Sequence, residues 1–556
     1  MTGAMLAGRG TSMAQVADTV VPTAAGQVRG VSGAGVTAFH AIPYAAPPVG
    51  PLRFAAPTDP FPWQGIRDCS KVGVSAPQGP SRLDAVMGTV SFVQDEDCLT
   101  LSVWTPSPDG GRRPVFMWIH GGAYLTGGGD LPFYSGAMLA RAGDVVVVNI
   151  NYRLGALGYL YFPEIDAAPA NRGLLDQARA LQWVYDNIAA FGGDPENITV
   201  GGQSAGGTST LALLGIAESR KLIRRAIVQS PAVKTLSMEQ AREVTERFLK
   251  AAAVPDGNLT KLRALPVSAI LEAQRNVQAQ IAASGNLNPP LQIVAPSIGA
   301  PIAPADAVAS GVASSIPLLI GTARDEVHAW LAQDENMLRG TDWDMVEKLY
   351  KLAGVRAPLA YGYAKWKAGD KRPWQVVSAM PTEAGFRKPV ATIADSHVKH
   401  GGEAYVYRFD WRPTPTAIFG ACHCIELPFV FDNLADWPNA PMLEGLDRSS
   451  FGPLAAMVQG AWLSFIRSGN PTSAGLPAWP HRNPMHPQIY VLDEDVRIAT
   501  DGTYRSNFKN RADTYYHQFS MHAAPRRLLR RNVRSAAEVS FGSRLCGNSF
   551  HAMIPY

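Results

Sequence analysis

A Gly-x-Ser-x-Gly pentapeptide, Gly202 to Gly206, directly follows a short apolar run, Ile198 to Val200, that is typical of a buried strand. Small residues two positions before and after Ser204 let the chain bend sharply without a Cβ clash, so the serine hydroxyl points outward. The stretch Ala205 to Leu214 has the composition of a buried helix, whose first N–H groups and dipole favour negative charge near Ser204. The pattern predicts a strand, a tight turn and a helix, with a Gly- and Ser-rich surface turn as the alternative.

Apolar, β-branched runs alternate with helical patterns along much of the chain. Runs that are apolar on both sides belong to strands covered on both faces, and Leu174 to Ala190 supplies one intervening helix. The predicted fold is therefore α/β, with a mostly parallel sheet between helices and with functional loops at the strand ends. The predicted strands are Val115–Ile119, Val145–Ile150, Ile198–Val200, Ala226–Val228, Ile316–Ile320, Tyr405–Phe409 and Ile489–Leu492.

The charge of the chain is concentrated at its C-terminal end. Of a net charge of +4 over 556 residues, the segment 521–556 carries +5, so the remainder is close to neutral. A neutral body is not attracted to nucleic acid, and no nucleic-acid partner is expected. The arginines of the tail alternate with apolar residues, which allows a basic amphipathic helix, but an unstructured extension is the simpler interpretation.

The sequence lacks the marks of a secreted or membrane-inserted protein. The first twenty residues have no basic start followed by an apolar stretch, and no apolar run is long enough to cross a bilayer, so a cytoplasmic location is expected. The five cysteines fit this expectation, because an odd number of them forms no disulfide framework. A metal site at Cys422-His423-Cys424 is the alternative there, but no second Cys/His cluster accompanies it.

A serine hydroxyl needs a base within hydrogen-bond reach and a carboxylate that orients the base. A predicted strand is followed by Gly321-Thr-Ala-Arg-Asp-Glu326, and a later strand by Gly420-Ala-Cys-His423. Serine, acid and histidine thus occur in the chain order of sheet hydrolases with a nucleophile elbow. The residues alone leave Asp325 and Glu326 both open as the acid.

Acyl transfer also needs donors for a negatively charged oxygen. His120-Gly-Gly-Ala-Tyr124 follows a predicted strand, and its small residues let the N–H groups of Gly122 and Ala123 approach a substrate. Together with the N–H of Ala205 they would form a three-donor oxyanion hole. A phosphate-binding loop is the alternative, but the Lys and Ser/Thr ending of such a loop is missing.

Several motifs together resemble the type-B carboxylesterases, the cholinesterase-like branch of the α/β-hydrolases, from about Gly26 to about Leu492. They occur in the order found in that family. The motifs are Phe39–Phe54, Glu96–Trp104, Asn151–Arg153, Asn171–Leu174, Phe191–Gly206, Asp325–Glu326 and His423–Phe429.

The resemblance implies an α/β-hydrolase domain over 21–520 with large helical insertions, between an N-terminal extension, 1–20, and the basic tail, 521–556. It implies Ser204 as nucleophile, His423 as general base and acid, and Glu326 rather than Asp325 as the orienting carboxylate. The oxyanion donors would be Gly122, Ala123 and Ala205, with Ser230 supporting the acid. No cofactor and no metal are implied, and the partner would be a small-molecule ester.

Two departures from the family pattern limit the resemblance. Ala76 stands where the partner cysteine of Cys98 is usual in the family; Cys69 is the alternative partner, but a reduced pair fits a cytosolic chain better. Gln203 precedes the serine, where cholinesterases have a glutamate, and 76–97 lacks a tryptophan that could stack on a quaternary ammonium. Choline esters are therefore not expected as substrates.

The expected function is hydrolysis of uncharged, short-chain or aryl carboxylic esters through an acyl-enzyme. The pocket is expected to be apolar and shaped by 42–63 and by a helical insert, 235–294. A lipase, amidase, carbonate-cleaving enzyme or thioesterase would use the same residues. A non-catalytic, cholinesterase-like binding module is the alternative of another class, and the oligomeric state stays open.

Overall fold

The computed structural model describes residues 18–162, 168–283, 289–352, 372–414 and 416–501. The basic tail, Cys546 and most of the expected N-terminal extension lie outside these residues. The first strand begins at Asp18, inside the segment expected as that extension.

One sheet of 13 strands organises the chain. Its spatial order is β1-β2-β3-β5-β7-β6-β8-β9-β10-β11-β12-β13, and β4 pairs with β2 at the side. The strands are β1 Asp18–Thr23, β2 Gly26–Gly33, β3 Val36–Pro43, β4 Ile66–Asp68, β5 Thr100–Thr105, β6 Arg113–Ile119, β7 Val146–Ile150, β8 Gly193–Gln203, β9 Arg225–Gln229, β10 Leu318–Ala323, β11 Ala404–Phe409, β12 Gln488–Leu492 and β13 Arg497–Thr500.

The pairing from β7 to β12 is parallel, whereas β1, β2, β3, β5 and β7 pair in antiparallel fashion, as do β12 and β13. Every strand predicted from the apolar runs is present, with boundaries shifted by up to five residues. The α/β fold with a mostly parallel sheet is thereby confirmed, and the antiparallel N-terminal strands are an addition to it.

Helices connect the parallel strands. They are Asp84–Met87, Ala137–Gly143, Gly155–Tyr159, Arg172–Asn187, Ala205–Gly215, Ala217–Leu222, Met238–Ala251, Leu259–Ala264, Val267–Ala283, Pro304–Ala309, His328–Leu331, Glu335–Gly340, Trp343–Leu352, Pro373–Thr382, Lys388–Lys399, Leu427–Phe431 and Arg448–Ser468. Three of them occupy the predicted helical insert 235–294. A π-helical turn, Glu383–Arg387, joins two of the later helices.

The two faces of the sheet pack into two separate cores. On β7, Val146 and Val148 belong to one hydrophobic cluster, whereas the intervening Val147 belongs to the other. Alternate side chains of a strand point to opposite faces, so a valine run buries both sides of the sheet. This explains why the central strands are recognisable as continuous apolar runs.

The sheet order changes direction at β6, which lies between β7 and β8. From this point the chain winds one way toward β7 and the other way toward β9. Loops after the carboxyl ends of two such strands leave the sheet on opposite sides and open a crevice between them. The loops after β6 and β8 contain His120 and Ser204, so the fold places both predicted motifs at this crevice.

Cys69 and Cys98 are buried free thiols, as are Cys422 and Cys424. Burial raises the pKa of the Cys69 thiol to about 11. Within the described segments, no helix is long and apolar enough to cross a membrane.

Candidate active site

Ser204 forms a strained turn between β8 and the helix Ala205–Gly215. Its φ is 59° and its ψ is −123°, a combination of backbone angles that residues other than glycine rarely adopt. Its N–H donates to the carbonyl of Gln229 at 2.8 Å, and its carbonyl accepts from the N–H of Thr208 at 2.9 Å. These bonds to β9 and to the first helical turn hold the strained backbone in place.

The glycines around the serine are needed for close packing. A Cβ on Gly206 would lie 2.0 Å from the carbonyl oxygen of Ile119, and a Cβ on Gly202 would lie 2.5 Å from Gly206. The helix can therefore begin directly against the end of β6 only because both positions lack a side chain. This packing brings the start of the helix beside the loop that follows β6.

The loop after β6 adopts left-handed backbone angles at Gly122, Ala123 and Tyr124. A Cβ on Gly122 would lie 2.0 Å from the carbonyl of Thr126, so only glycine fits there. A Cβ added to Gly121 would lie 3.0 Å from the Cβ of Ser204, which shows how closely the loop approaches the serine. The N–H groups of Gly122, Ala123 and Ala205 have no acceptor among the described residues.

His120 braces this loop from inside the protein. Its ring stacks on Tyr152 with the centroids 4.4 Å apart, and the Tyr152 hydroxyl donates to the His120 carbonyl at 2.9 Å. Burial lowers the pKa of His120 to about 4, so the ring is neutral at neutral pH. A neutral Nδ1–H donates to the Gly121 carbonyl at 2.8 Å, which fixes the first peptide of the loop.

His423 and Glu326 form a fully buried pair. Nδ1 of His423 is 2.5 Å from Oε2 of Glu326, and both side chains have no exposed surface. The other oxygen, Oε1, accepts from the Ser230 hydroxyl at 2.6 Å and from the N–H of Ala323 at 2.7 Å. The carboxylate is thus held by Ser230, directly after β9, and by Ala323 of β10, and it orients the imidazole through Nδ1.

The carboxylate of Asp325 is held by other partners. Its Oδ2 accepts from Arg324 at 2.7 Å and from the N–H of Ala421 at 3.1 Å. Burial alone would raise the pKa of Asp325, but the nearby His328 and Arg324 outweigh that effect and lower it to about 2. Of the two acids that the residues alone left open, Glu326 is the one in contact with the imidazole.

Nε2 of His423 faces the side chain of Gln203. The Nε2 atoms of the two side chains are 3.1 Å apart. The hydroxyl of Ser204, which is half-buried, makes no hydrogen bond to any described residue. The structure therefore brings together His423, Glu326 and Ser230, and sets Ser204 beside the loop Gly121–Ala123, without a hydrogen bond between Ser204 and His423.

Two aromatic rings pack against the imidazole. The centroid of Trp330 lies 5.0 Å and that of Phe386 lies 5.4 Å from the His423 ring. The planes of these rings are tilted by 37° and 53° relative to the imidazole. Phe386 belongs to the π-helical turn Glu383–Arg387. Sequence reasoning missed both residues, because neither occurs in a motif and both come from segments distant in sequence from His423.

A second buried carboxyl group, Glu426, follows His423 by three residues. Burial and then the nearby charge of Glu326 raise the pKa of Glu426 to about 7. Gln229 donates to its Oε1 at 3.1 Å, whereas its Oε2 is buried without a hydrogen bond to any described residue. The sequence offered a signal for this residue, because Glu426 belongs to the His423–Phe429 motif, but no role was predicted for it.

A cavity of about 290 Å³ opens at the loop after β6. Its lining includes Gly121, Gly122, Gln203 and Cys424, and Asp84 is the only charged residue among the described residues that line it. Its apolar lining consists of Leu83, Met87, Val90, Phe92, Leu131, Phe133 and Tyr134. The described residues that line this cavity come from 78–94, 121–134, Gln203 and Cys424, and none of them belongs to the segments 42–63 and 235–294 expected to shape the substrate pocket.

Within the described part of the chain, no group of three or more His, Cys, Asp or Glu side chains could hold a metal ion. Cys422 and Cys424 flank His423 as buried thiols, and burial raises the pKa of both well above its usual value. Protonated thiols are poor metal ligands.

The chain is similar to known proteins over most of its length. The model of the Carboxylesterase family matches residues 17–513. Para-nitrobenzyl esterase of Bacillus subtilis (strain 168) is 38% identical over 489 residues, which cover 87% of this chain and 96% of that protein. Phenmedipham hydrolase of Pseudarthrobacter oxydans is 37% identical over 492 residues, covering 87% of this chain and 97% of that protein.

The fold is also found among solved structures. A carboxylesterase of Geobacillus stearothermophilus superposes with a TM-score of 0.76 at 36% identity, and the match covers 88% of this chain and 98% of that one.

Proposed function

Because this chain belongs to the carboxylesterase family, we propose that its Ser204, His423 and Glu326 act together in the hydrolysis of carboxylic esters. The observation that carries the proposal is the buried contact of 2.5 Å between Nδ1 of His423 and Glu326. It leaves Nε2 of the ring as the proton acceptor at the crevice into which Ser204 projects.

The reaction proceeds in two halves. Ser204 attacks the ester carbonyl while Nε2 of His423 takes its proton, and the resulting imidazolium protonates the departing alcohol. A water molecule then loses a proton to His423 and attacks the acyl-enzyme, and the imidazolium returns that proton to the oxygen of Ser204 as the acid is released. Glu326 stays ionised and stabilises the imidazolium in both halves, with Ser230 holding the carboxylate in position.

The oxyanion that forms in each half is stabilised by backbone donors. The N–H groups of Gly122, Ala123 and Ala205 have no acceptor in the described part of the chain, and the loop residues have positive φ angles. Donors fixed before the reaction stabilise charge that appears only in the transition state, and one such donor is worth about 3 kcal/mol. No cofactor takes part in this scheme.

The substrates that fit best are uncharged aryl or short-chain esters. The cavity of about 290 Å³ beside the loop is mostly apolar and contains Phe92 and Phe133, which suits a small aryl group. Para-nitrobenzyl esterase, a relative 38% identical, is named for an ester whose alcohol part carries an aromatic ring, which supports a substrate with an aromatic group here.

A chain-length series of p-nitrophenyl esters tests the proposal. We expect turnover of the acetate and butyrate, falling as the acyl chain lengthens, and at least a 10⁴-fold loss of kcat in Ser204→Ala without loss of the fold. Matched amide, carbonate and thioester substrates measured alongside separate an esterase from an amidase, a carbonate-cleaving enzyme or a thioesterase. A non-catalytic binding module would turn over none of them.

We also propose the division of the chain into an extension, 1–20, a hydrolase domain, 21–520, and a tail, 521–556, and a cytoplasmic location. The location is supported by four buried thiols that are not paired as disulfides. Limited proteolysis tests the division, since cleavage should be confined to the two ends. Fractionation of the source cells tests the location.

A further inference from the structure

The carboxamide of Gln203 lies against the imidazole nitrogen that the proposed reaction needs. Its Nε2 is 3.1 Å from Nε2 of His423, while Nδ1 of the same ring faces Glu326 at 2.5 Å. An amide nitrogen can only donate, so the ring nitrogen that it contacts carries a lone pair and no proton. In this arrangement the proton of the neutral ring is on Nδ1, facing Glu326, which is the tautomer that a base for Ser204 requires.

Gln203 is closely packed in this position. It is the last residue of β8 and its side chain is only 2% exposed. Its Oε1 would lie 3.1 Å from a Cβ added to Gly121, and the thiol of Cys424 lies beside the carboxamide. The carboxamide thus occupies a hydrogen-bonding direction of Nε2 that Ser204 would have to use. The Ser204 hydroxyl itself makes no hydrogen bond to a described residue.

We propose that Gln203 is a positioning residue that holds Nε2 of His423 in the ester-free enzyme and yields it to Ser204 when an ester fills the cavity. This inference rests on the proposed function. The carboxamide suits both charge states of the ring, because a half-turn about its last side-chain bond replaces the donor by Oε1, which accepts from a protonated Nε2. A glutamate at this position could only accept, and would favour the protonated ring throughout the cycle.

Several ionisable groups surround the imidazole besides Glu326. Glu426, Cys422 and Cys424 come from its own segment, and Asp325 lies next to Glu326. The phenols of Tyr134 and Tyr407 are near Glu426. The packed rings of Trp330 and Phe386 are uncharged. Substitutions at 203 leave all of these groups in place, so a change in pH dependence within such a series belongs to residue 203.

The pH dependence of kcat/KM for p-nitrophenyl acetate tests the proposal in Gln203→Met and Gln203→Glu. Methionine keeps the size of the glutamine side chain but removes the donor that favours the neutral ring. We therefore expect the acidic limb of the pH profile, where kcat/KM falls as the pH is lowered, to shift slightly to higher pH. Glutamate adds a charge that favours the protonated ring, so we expect a shift by about one pH unit or more. On the alkaline plateau, Gln203→Met should equal or exceed the wild type, because nothing then competes with Ser204 for Nε2.

Gln94→Glu is the matched control. Gln94 lines the same cavity but is exposed, and its Oε1 accepts from the N–H of Gln78 at 2.9 Å, a bond that glutamate can keep. It adds the same charge to the cavity without touching the ring, so the midpoint of the limb should move much less than in Gln203→Glu.

The proposal would be overturned if the acidic limbs of the pH profiles of Gln203→Glu and the wild type coincided. A more than tenfold loss of kcat/KM on the alkaline plateau in Gln203→Met would also overturn it. Should one of the two variants fail to fold, the other still decides. Activity that survives in Ser204→Ala would instead refute the proposed function itself, so the two failures are distinguishable.

Discussion

At the scale of single residues, the site depends on which of two adjacent acids meets the imidazole. Glu326 contacts Nδ1 of His423 and takes two further hydrogen bonds, from Ser230 and Ala323. Asp325 is bound to Arg324 and Ala421. Neighbours in sequence thus have different tasks, because the turn after β10 points their side chains in different directions.

Glu326→Gln should therefore lower kcat for p-nitrophenyl acetate by about 10³- to 10⁴-fold, because a neutral amide neither stabilises the imidazolium nor secures the tautomer. Asp325→Asn, one position away, is the control and should lower kcat less than tenfold while reducing the melting temperature. Steady-state kinetics of the two purified variants decide the matter. A larger kinetic loss in Asp325→Asn than in Glu326→Gln would contradict this assignment.

At the scale of elements, the helix Ala205–Gly215 has to start against the carboxyl end of β6. Gly206 makes this possible, since a Cβ there would lie 2.0 Å from the Ile119 carbonyl. The same approach brings the N–H of Ala205 beside the loop Gly121–Ala123. The position of the helix is thus tied directly to that of the proposed oxyanion donors.

We expect Gly206→Ala to lower the free energy of unfolding by about 1 to 3 kcal/mol, because the helix must move away from β6. The displaced donor at Ala205 should also lower kcat/KM by about 100-fold. Gly452→Ala is the control in an exposed helical turn, where a Cβ meets nothing within 4 Å. It should stabilise by up to about 1 kcal/mol and leave kcat/KM unchanged. Denaturant unfolding and kinetics measure both effects, and equal behaviour of the two variants would refute the packing argument.

Much of this arrangement could be predicted from the sequence, and the rest was hidden for physical reasons. Strands buried on both faces, such as Val146–Ile150, leave continuous apolar runs. The strand Gly26–Gly33 is largely half-buried or exposed and leaves no such run, so it was missed. The rings of Trp330 and Phe386 reach His423 only through tertiary packing, and no local spacing in the sequence encodes that contact.

At the scale of the whole molecule, the buried polar groups link stability to pH. The pKa of Glu426 is raised to about 7 from an ordinary value of 4.5, first by burial and then by Glu326. Between these two values the unfolded chain loses its proton before the folded chain does. Stability should consequently fall as the pH rises through this window.

Glu426→Gln keeps the acceptor for Gln229 but cannot ionise. We expect its free energy of unfolding, relative to the wild type, to increase between pH 5 and pH 8 by up to about 3 kcal/mol, the equivalent of the raised pKa. Urea unfolding at a series of pH values measures the difference. A difference that stays constant, or that shrinks as the pH rises, would show that the Glu426 carboxyl is not held protonated by the fold.

The central claim is that Ser204 is the nucleophile at the crevice between β6 and β8. It is tested most directly by mass spectrometry of the protein after titration with an organophosphate. The account predicts one phosphoryl group per chain, located on the peptide that contains Ser204, with its occupancy equal to the fraction of esterase activity lost. Complete inactivation with the label on another residue, or with no label on Ser204, would contradict it.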